Sequence, residues 1–145
     1  MKKEFSAGGI VFQKKGKKVL WLLAQHSQHK GWVFPKGLIG DHKDKETSED
    51  TAVREVEEET GIKGKILVKL KKPATYFYVW QGEKRFKTVD YYLMQCIGGD
   101  ISKHDSEMSF VEWLPTEEVD KRLTYKSDRE AFKEALAFFE TLSSS

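Results

Sequence analysis

The chain has 145 residues, 39% of them hydrophobic and 33% charged, a balance that suits one soluble domain around a single core. The net charge of +2 singles out no partner class, and the one cysteine, Cys96, excludes an internal disulfide and reads as a buried thiol. Glu4, Ser6, Gly8 and Gly9 interrupt the N-terminus, so it is not a signal peptide, and no stretch approaches ~18 apolar residues; a cytoplasmic protein without a membrane span is expected.

Taken in chain order, residues 5–12 read as a strand in which Gly8-Gly9 permits close backbone approach. A lysine-rich turn at 14–17 leads to a continuous apolar strand, 19–24, expected to be buried on both faces. Residues 25–31 form a polar loop, and 32–37 a short extended piece broken by Pro35 and Gly37. A helix is predicted over 47–60, capped by Thr47 or Ser48, acidic in its first turn and stopped by Gly61. Strands follow at 65–71, 75–80 and 86–97, the last two joined by a hairpin around Gln81-Gly82-Glu83. A short strand at 110–114 ends at Pro115, and Thr116 opens a short helix to about Leu123. The final helix, 128–142, carries an apolar stripe of Ala131, Phe132, Ala135, Leu136, Phe138 and Phe139. Residues 1–142 thus read as one domain with an α/β sandwich around a mixed sheet, and 143–145 as a disordered tail.

The charges are unevenly placed. Residues 46–60 hold seven acids (Glu46, Glu49, Asp50, Glu55, Glu57, Glu58, Glu59) against Arg54 alone, while lysines dominate 14–18 and 63–72. An acidic centre in a basic surround suits a cation site beside a polyanion site, although solvated surfaces account for most of these lysines. On a helix turning ~100° per residue, Glu55, Glu58 and Glu59 share one face, while Val53 and Val56 point toward the sheet. Carboxylates so placed raise one another's pKa unless a cation neutralises them. A hard divalent ion such as Mg2+ takes carboxylate oxygens together with phosphate oxygens and water, and Arg54 is placed to hold a carboxylate by a bidentate bond. Alone, this run reads as a Glu-rich surface helix. The wider pattern overturns that: Gly40, five residues, Glu46, seven residues, Arg54-Glu55-Val56, one residue, Glu58-Glu59, one residue, Gly61-Ile62. A chance match is on the order of 10⁻⁷.

This pattern, 23 residues from Gly40 to Ile62, resembles the Nudix box. The resemblance implies the Nudix fold, an α/β/α sandwich with the box as loop-helix-loop, and hydrolysis of a nucleoside diphosphate linked to another moiety. It implies Glu58 and Glu59 as divalent metal ligands, Glu55 as metal ligand or general base, Arg54 as its orienting partner, and Glu46 and Gly61 in support. Mg2+ is the implied cofactor, with Mn2+ as substitute, and the box glycine's carbonyl is a further ligand. In most members that glycine closes the Phe-Pro-x-Gly run, which here ends at Gly37, three residues before Gly40. A three-residue insertion, with Gly37 supplying the carbonyl, is preferred to a loop rearranged around Gly40.

Residues 32–37 (WVFPKG) resemble the segment of diadenosine polyphosphate hydrolases whose lysine, here Lys36, contacts phosphate. Tyr76-Phe77-Tyr78, Gln81 to Lys84, Phe86 to Val89 and Leu123 to Lys126 resemble the bacterial diadenosine tetraphosphate hydrolases. On that reading Tyr76, Tyr78 and Tyr125 stack an adenine, each stack worth ~1–3 kcal/mol, and Lys36, Lys84 and Lys87 bind the phosphate chain. A strand core is the alternative for the aromatics, and alternation puts Tyr76 and Tyr78 on one face and Phe77 on the other. Glu107 matches the acid preceding the Trp-Leu-Pro strand, as a further metal ligand or base. His104 and Asp105 read as loop surface. Gly31 takes the place beside Trp32 where that group often has histidine, and His29 is left outside the site.

The implied reaction is in-line attack of water on phosphorus, with asymmetric cleavage of diadenosine tetraphosphate to ATP and AMP. A nucleoside triphosphate pyrophosphatase and an RNA 5′-pyrophosphohydrolase are the alternatives; a non-catalytic nucleotide sensor is disfavoured by the intact glutamates. The expected partner is a small-molecule nucleotide, with no membrane and no nucleic acid other than capped or triphosphorylated RNA. Monomer and dimer stay open.

Overall fold

Two long strands form the spine of the sheet. In the computed structural model, which describes residues 1–40 and 45–143, β1 (Lys2–Lys15) runs parallel to β7 (Glu83–Gly99), in register from Lys2 opposite Arg85 to Phe12 opposite Gln95. β2 (Lys18–His26) turns back on the end of β1 and continues against β8 (Met108–Pro115) and β3 (Trp32–Val33). The short β4 (Lys36–Leu38) pairs with the first half of β1, Gly8 opposite Lys36 and Ser6 opposite Leu38. β5 (Ile62–Lys69) and β6 (Ala74–Trp80) both run antiparallel to β7, β6 along its first half and β5 along its second.

Each face of this mixed sheet buries its own apolar set. On one, Ile10, Phe12, Trp21, Tyr91 and Leu93 pack under Phe132, Ala135 and Phe139 of helix α3 (Lys126–Ser143), with Val119 of α2 (Thr116–Arg122) at the side. Rings meet edge-on there, Phe12 on Phe139 at 4.8 Å and Trp21 on Phe132 at 5.0 Å, the geometry aromatic quadrupoles favour. Trp21 Nε1 donates to Thr116 Oγ1 at 2.9 Å, so the large ring carries no orphaned donor. On the other face, Ala7, Val11, Leu22, Tyr92 and Met94 pack under Ala52 and Val56 of α1 (Ser48–Thr60). The result is the α/β/α sandwich expected. Trp21 to Ala24 are each 0% exposed, as a strand covered on both faces must be.

The strands run further than the pattern predicts. β1 begins at Lys2, β5 follows Gly61 directly, and β2 reaches His26, inside the expected loop. Ladder partners far away in the chain extend these ends. Cys96 is half-buried rather than buried, at the rim of the α1-side core, its Sγ 3.6 Å from the Gly98 oxygen. Ser143 closes α3, while the rest of the expected tail, 144–145, lies outside the described residues. Among the described residues no helix is long and apolar enough to cross a membrane.

Candidate active site

Helix α1 is held at both ends by its own sequence. Thr47 is the N-cap, its Oγ1 accepting from the Asp50 N–H at 3.1 Å. Gly61 ends the helix at φ 79°, its N–H on the Glu57 carbonyl. A Cβ at Gly61 would run into the Asp100 carbonyl, so glycine serves both the left-handed turn and the close approach of the 3-10 turn Ile101–Lys103. With Ala52 and Val56 anchored on the sheet, the helix turns Glu55 and Glu59 into a buried setting and leaves Glu58 exposed.

Arg54 organises this acidic face. Its Nε and Nη2 donate to the two oxygens of Glu46 at 2.7 and 2.8 Å, and its Nη1 donates to Glu55 at 2.8 Å and Glu58 at 3.0 Å. Thr51 Oγ1 donates to the same Glu46 at 2.7 Å. The paired bonds to Glu46 are the main reason the guanidinium pKa stands above its ordinary value. Glu46, placed before the helix, thus fixes Arg54, which in turn fixes Glu55.

Glu59 is 3% exposed. Burial drives its carboxyl pKa well above the usual range; Lys36 pulls it back, while the charges of Glu55 and Glu107 push it further. Burial raises Glu55 too, against the bond from Arg54. Two neighbouring buried carboxylates with too little positive charge between them suit a hard divalent cation. Among the described residues no cluster of three acidic, histidine or cysteine side chains is placed to hold a metal ion. Mg2+ does not require one, because it keeps waters and takes one or two carboxylates plus substrate phosphate.

The glycine at the carboxylates is Gly37. A Cβ there would fall inside the Glu55 carboxylate, and the Lys36 N–H beside it points to Glu59 Oε1 at 3.4 Å. Gly40 sits in the following turn at φ 78°, and residues 41–44, where the box loop continues, lie outside the described residues. Gly37→Ala is therefore expected to displace Glu55 and lower kcat/KM by about 10²-fold, with loss of the rise in melting temperature on adding Mg2+. A variant that keeps that rise would show that Glu55 tolerates the methyl group.

The opposite wall carries Glu107. Its carbonyl accepts from Ser27 N at 2.9 Å, its N–H donates to Asp105 Oδ1 at 3.0 Å, and Asp105 N donates to the Glu58 carbonyl at 3.1 Å. Asp105 is an exposed loop residue, as expected, and its two hydrogen bonds join α1 to Glu107. Beside Glu107 opens a cavity of about 410 Å³, lined by His26, Ser27, Gln28, Asp105 and Ser106. His26 and His29 stack at 4.2 Å, nearly parallel, and Tyr125 Oη meets His29 Nδ1 at 3.1 Å. Burial lowers the pKa of both histidines. The structure thus places His26 in the cavity wall, with His29 stacked behind it and Tyr125 bonded to His29.

The third wall is the α3-side face of β4, β6 and β7. Burial works against the charge of Lys36, but Asp128, Tyr76 and Glu59 hold its pKa above the ordinary value. Burial, aided by Lys36, lowers that of Lys87. Tyr76 and Tyr78 share a face, ring centroids 6.2 Å apart. Tyr78 is pinned: its hydroxyl donates to Glu4, which also accepts from Arg85 at 3.1 Å, and burial with that bond pushes the phenol up to about 12. Lys87 lies over the Tyr78 ring at 5.4 Å. Lys84 is not brought to this wall; it lies over Phe77 at 5.1 Å, on the other face of the hairpin. Asp128, in the first turn of α3, is buried and accepts from Tyr91 Oη at 2.8 Å. Sequence reasoning passes over it because an acid in a helix's first turn reads as a dipole partner. Acids suited to a divalent cation thus face cations and aromatics suited to a nucleotide.

The chain resembles known proteins in sequence and in fold. The NUDIX domain family matches residues 2–136. "Putative mutator protein MutT4" of Mycobacterium tuberculosis is 44% identical over 98 residues, 68% of this chain. The chain spans 38% of the length of that protein and of a second curated relative. An Ap4A hydrolase from C. elegans superposes with a TM-score of 0.71 at 23% identity, over 96% of this chain and 99% of that one. The NUDIX domain of Shewanella oneidensis NrtR, crystallised with ADP ribose, superposes at 0.74 with 19% identity, over 96% and 90%. Likeness at such identities speaks to the fold, whereas the family match extends over the strands, the acidic helix and the cleft together: the chain belongs to the Nudix hydrolase family.

Proposed function

We propose that the chain hydrolyses a phosphoanhydride in a nucleoside polyphosphate, with diadenosine tetraphosphate, cleaved asymmetrically to ATP and AMP, as the substrate. The observation that carries this is the Arg54-organised carboxylate face, Glu55, Glu58 and Glu59, opposed by Glu107 and by the Lys36–Lys87 pair. Bound Mg2+, or Mn2+ in its place, supplies charge neutralisation on the phosphate chain and a more acidic water. Glu58 and Glu59 would hold it, with Glu55 and the Gly37 carbonyl as further candidates alongside. Lys36 and Lys87 bind the polyphosphate, and Tyr76, Tyr78 and Tyr125 offer faces to an adenine. Glu107 takes the proton of the attacking water: Glu55 is buried and bonded to Arg54, whereas Glu107 is exposed beside the cavity.

The test is a panel of dinucleoside polyphosphates, nucleoside triphosphates and capped RNA with Mg2+, products read by chromatography. Diadenosine tetraphosphate is expected to yield ATP and AMP in equal amounts, with Glu58→Gln inactive. A wild type inert toward every nucleotide anhydride sinks the proposal. A second reading, hydrolysis of a nucleoside triphosphate, rests on the 44% identity to a protein named for a mutator role; the same panel separates the two.

A further inference from the structure

Ser6 holds a buried hydroxyl with nothing to bond. It is 1% exposed and its Oγ has no hydrogen-bond partner. The other such atom among the described residues, Arg85 Nε, lies 3.2 Å from the Glu83 carboxylate, so Ser6 alone faces no polar group of its own. Native folds pair their buried polar atoms, and an unpaired one costs stability that a same-shaped apolar residue would not. A buried donor left open in this way points to a partner that arrives from outside.

Register says which partner. Ser6 lies between Glu4 and Gly8 on the cleft face of β1. Glu4 stands opposite Lys87 of β7, and Gly8 opposite Lys36 of β4. Ser6 itself stands opposite Val89 of β7 and Leu38 of β4, so the two lysine-bearing positions lie diagonally across from it, roughly 7–8 Å away on the same face, within the span of a lysine side chain. Tyr76, opposite Lys87 on β6, closes the same face. Glu4 spends its two oxygens on Tyr78 and Arg85 and leaves the Ser6 proton untaken. The two lysines repel each other, and an anion between them relieves that repulsion. A neutral donor beneath a pair of cations suits an acceptor-only ligand.

We propose that the Ser6 hydroxyl is a further substrate-binding group, donating a hydrogen bond to a phosphate oxygen held between Lys36 and Lys87. This rests on the polyphosphate reading above. Closed to water in the free protein, the hydroxyl is reached when the two lysine side chains turn toward the anion.

The test uses Ser6→Ala and Ser6→Cys in the full chain, with inorganic tripolyphosphate as probe, metal absent, by titration calorimetry and thermal melts. A hydrogen bond to a charged oxygen predicts roughly tenfold weaker binding in Ser6→Ala, a higher KM for the cleaved nucleotide, and a melting temperature equal to or above wild type. Unchanged affinity overturns the assignment, as does a lower melting temperature in both variants, which marks a structural hydroxyl. A wild type indifferent to tripolyphosphate overturns it too. If Ser6→Ala weakens binding while the wild type cleaves no nucleotide, the Ser6 assignment stands and the hydrolase proposal falls. If the wild type cleaves while Ser6→Ala binds normally, the reverse holds.

Discussion

Glu59→Gln is expected to lower kcat by about 10³-fold, the equivalent of about 4 kcal/mol of metal-borne charge stabilisation, and at the same time to raise the melting temperature of the metal-free protein. Both effects follow from one carboxylate. Folding buries Glu59 and pushes its pKa well above the ordinary value, with Lys36 as the opposing influence and Glu55 and Glu107 adding to the push. Between the unfolded and the folded pKa the folded state binds more protons than the unfolded state. Stability therefore falls as pH rises through that window, and the whole penalty is in force above the folded pKa. Glu55, raised in the same direction, contributes with the same sign.

In chelator, the wild type should thus melt higher in mildly acidic than in mildly alkaline buffer, and Glu59→Gln should flatten that difference. The amide oxygen still accepts from the Lys36 N–H, so packing is kept while the charge is gone. On the proposed reading, Mg2+ would offset the penalty by binding the ionised form. Its stabilising effect on the wild type should be large in alkaline buffer and small in acid, and nearly absent in Glu59→Gln. A metal-free variant less stable than wild type, or an equal response of both proteins to Mg2+, would show that Glu59 is a structural acid.

The half of the site borne on α1 is legible in the sequence because every signal for it is local. Thr47 caps, Gly61 stops, and ~100° per residue puts three glutamates on one side. The other walls are assembled by pairing across the chain. Nothing near Ser6 announces that β7 will lay Lys87 and β4 will lay Lys36 diagonally across from it; those pairings come from strands about 30 and 80 positions away. The box pattern counts residues, so it admits Gly40, whereas proximity to Glu55 selects Gly37. Lys84 can be set apart from the lysines proposed to bind phosphate without a structure. Lys84 and Lys87 are three apart on one strand, and alternation alone puts them on opposite faces. His26 is hidden by its position, past a register shift at Gln25/His26 in β2 that no alternation pattern predicts.

Arg54→Met is the variant expected to cost most in stability, about 3 kcal/mol of the 5–15 typical of a domain. The reason lies in what stays behind. The side chains of Glu46 and Glu55 are only 5% and 7% exposed, and Arg54 is a cation bonded to both. Removing it leaves two buried carboxylates without that charge, and the Thr51 hydroxyl that still donates to Glu46 is neutral. Glu58, at 41%, remains solvated, and its pair adds little. Arg54→Lys keeps a charge but not the fork that grips Glu46 through two parallel bonds, so it should recover part of the stability and little of the activity. The decisive comparison is with the double variant Arg54→Met with Glu46→Gln, which removes the stranded charge along with its partner. If the loss comes from an uncompensated Glu46, the double variant melts above the single one and the coupling exceeds about 1 kcal/mol. If the two changes simply add, Arg54 is a surface residue, and the geometry of Glu55 is set by its contact with Gly37 alone.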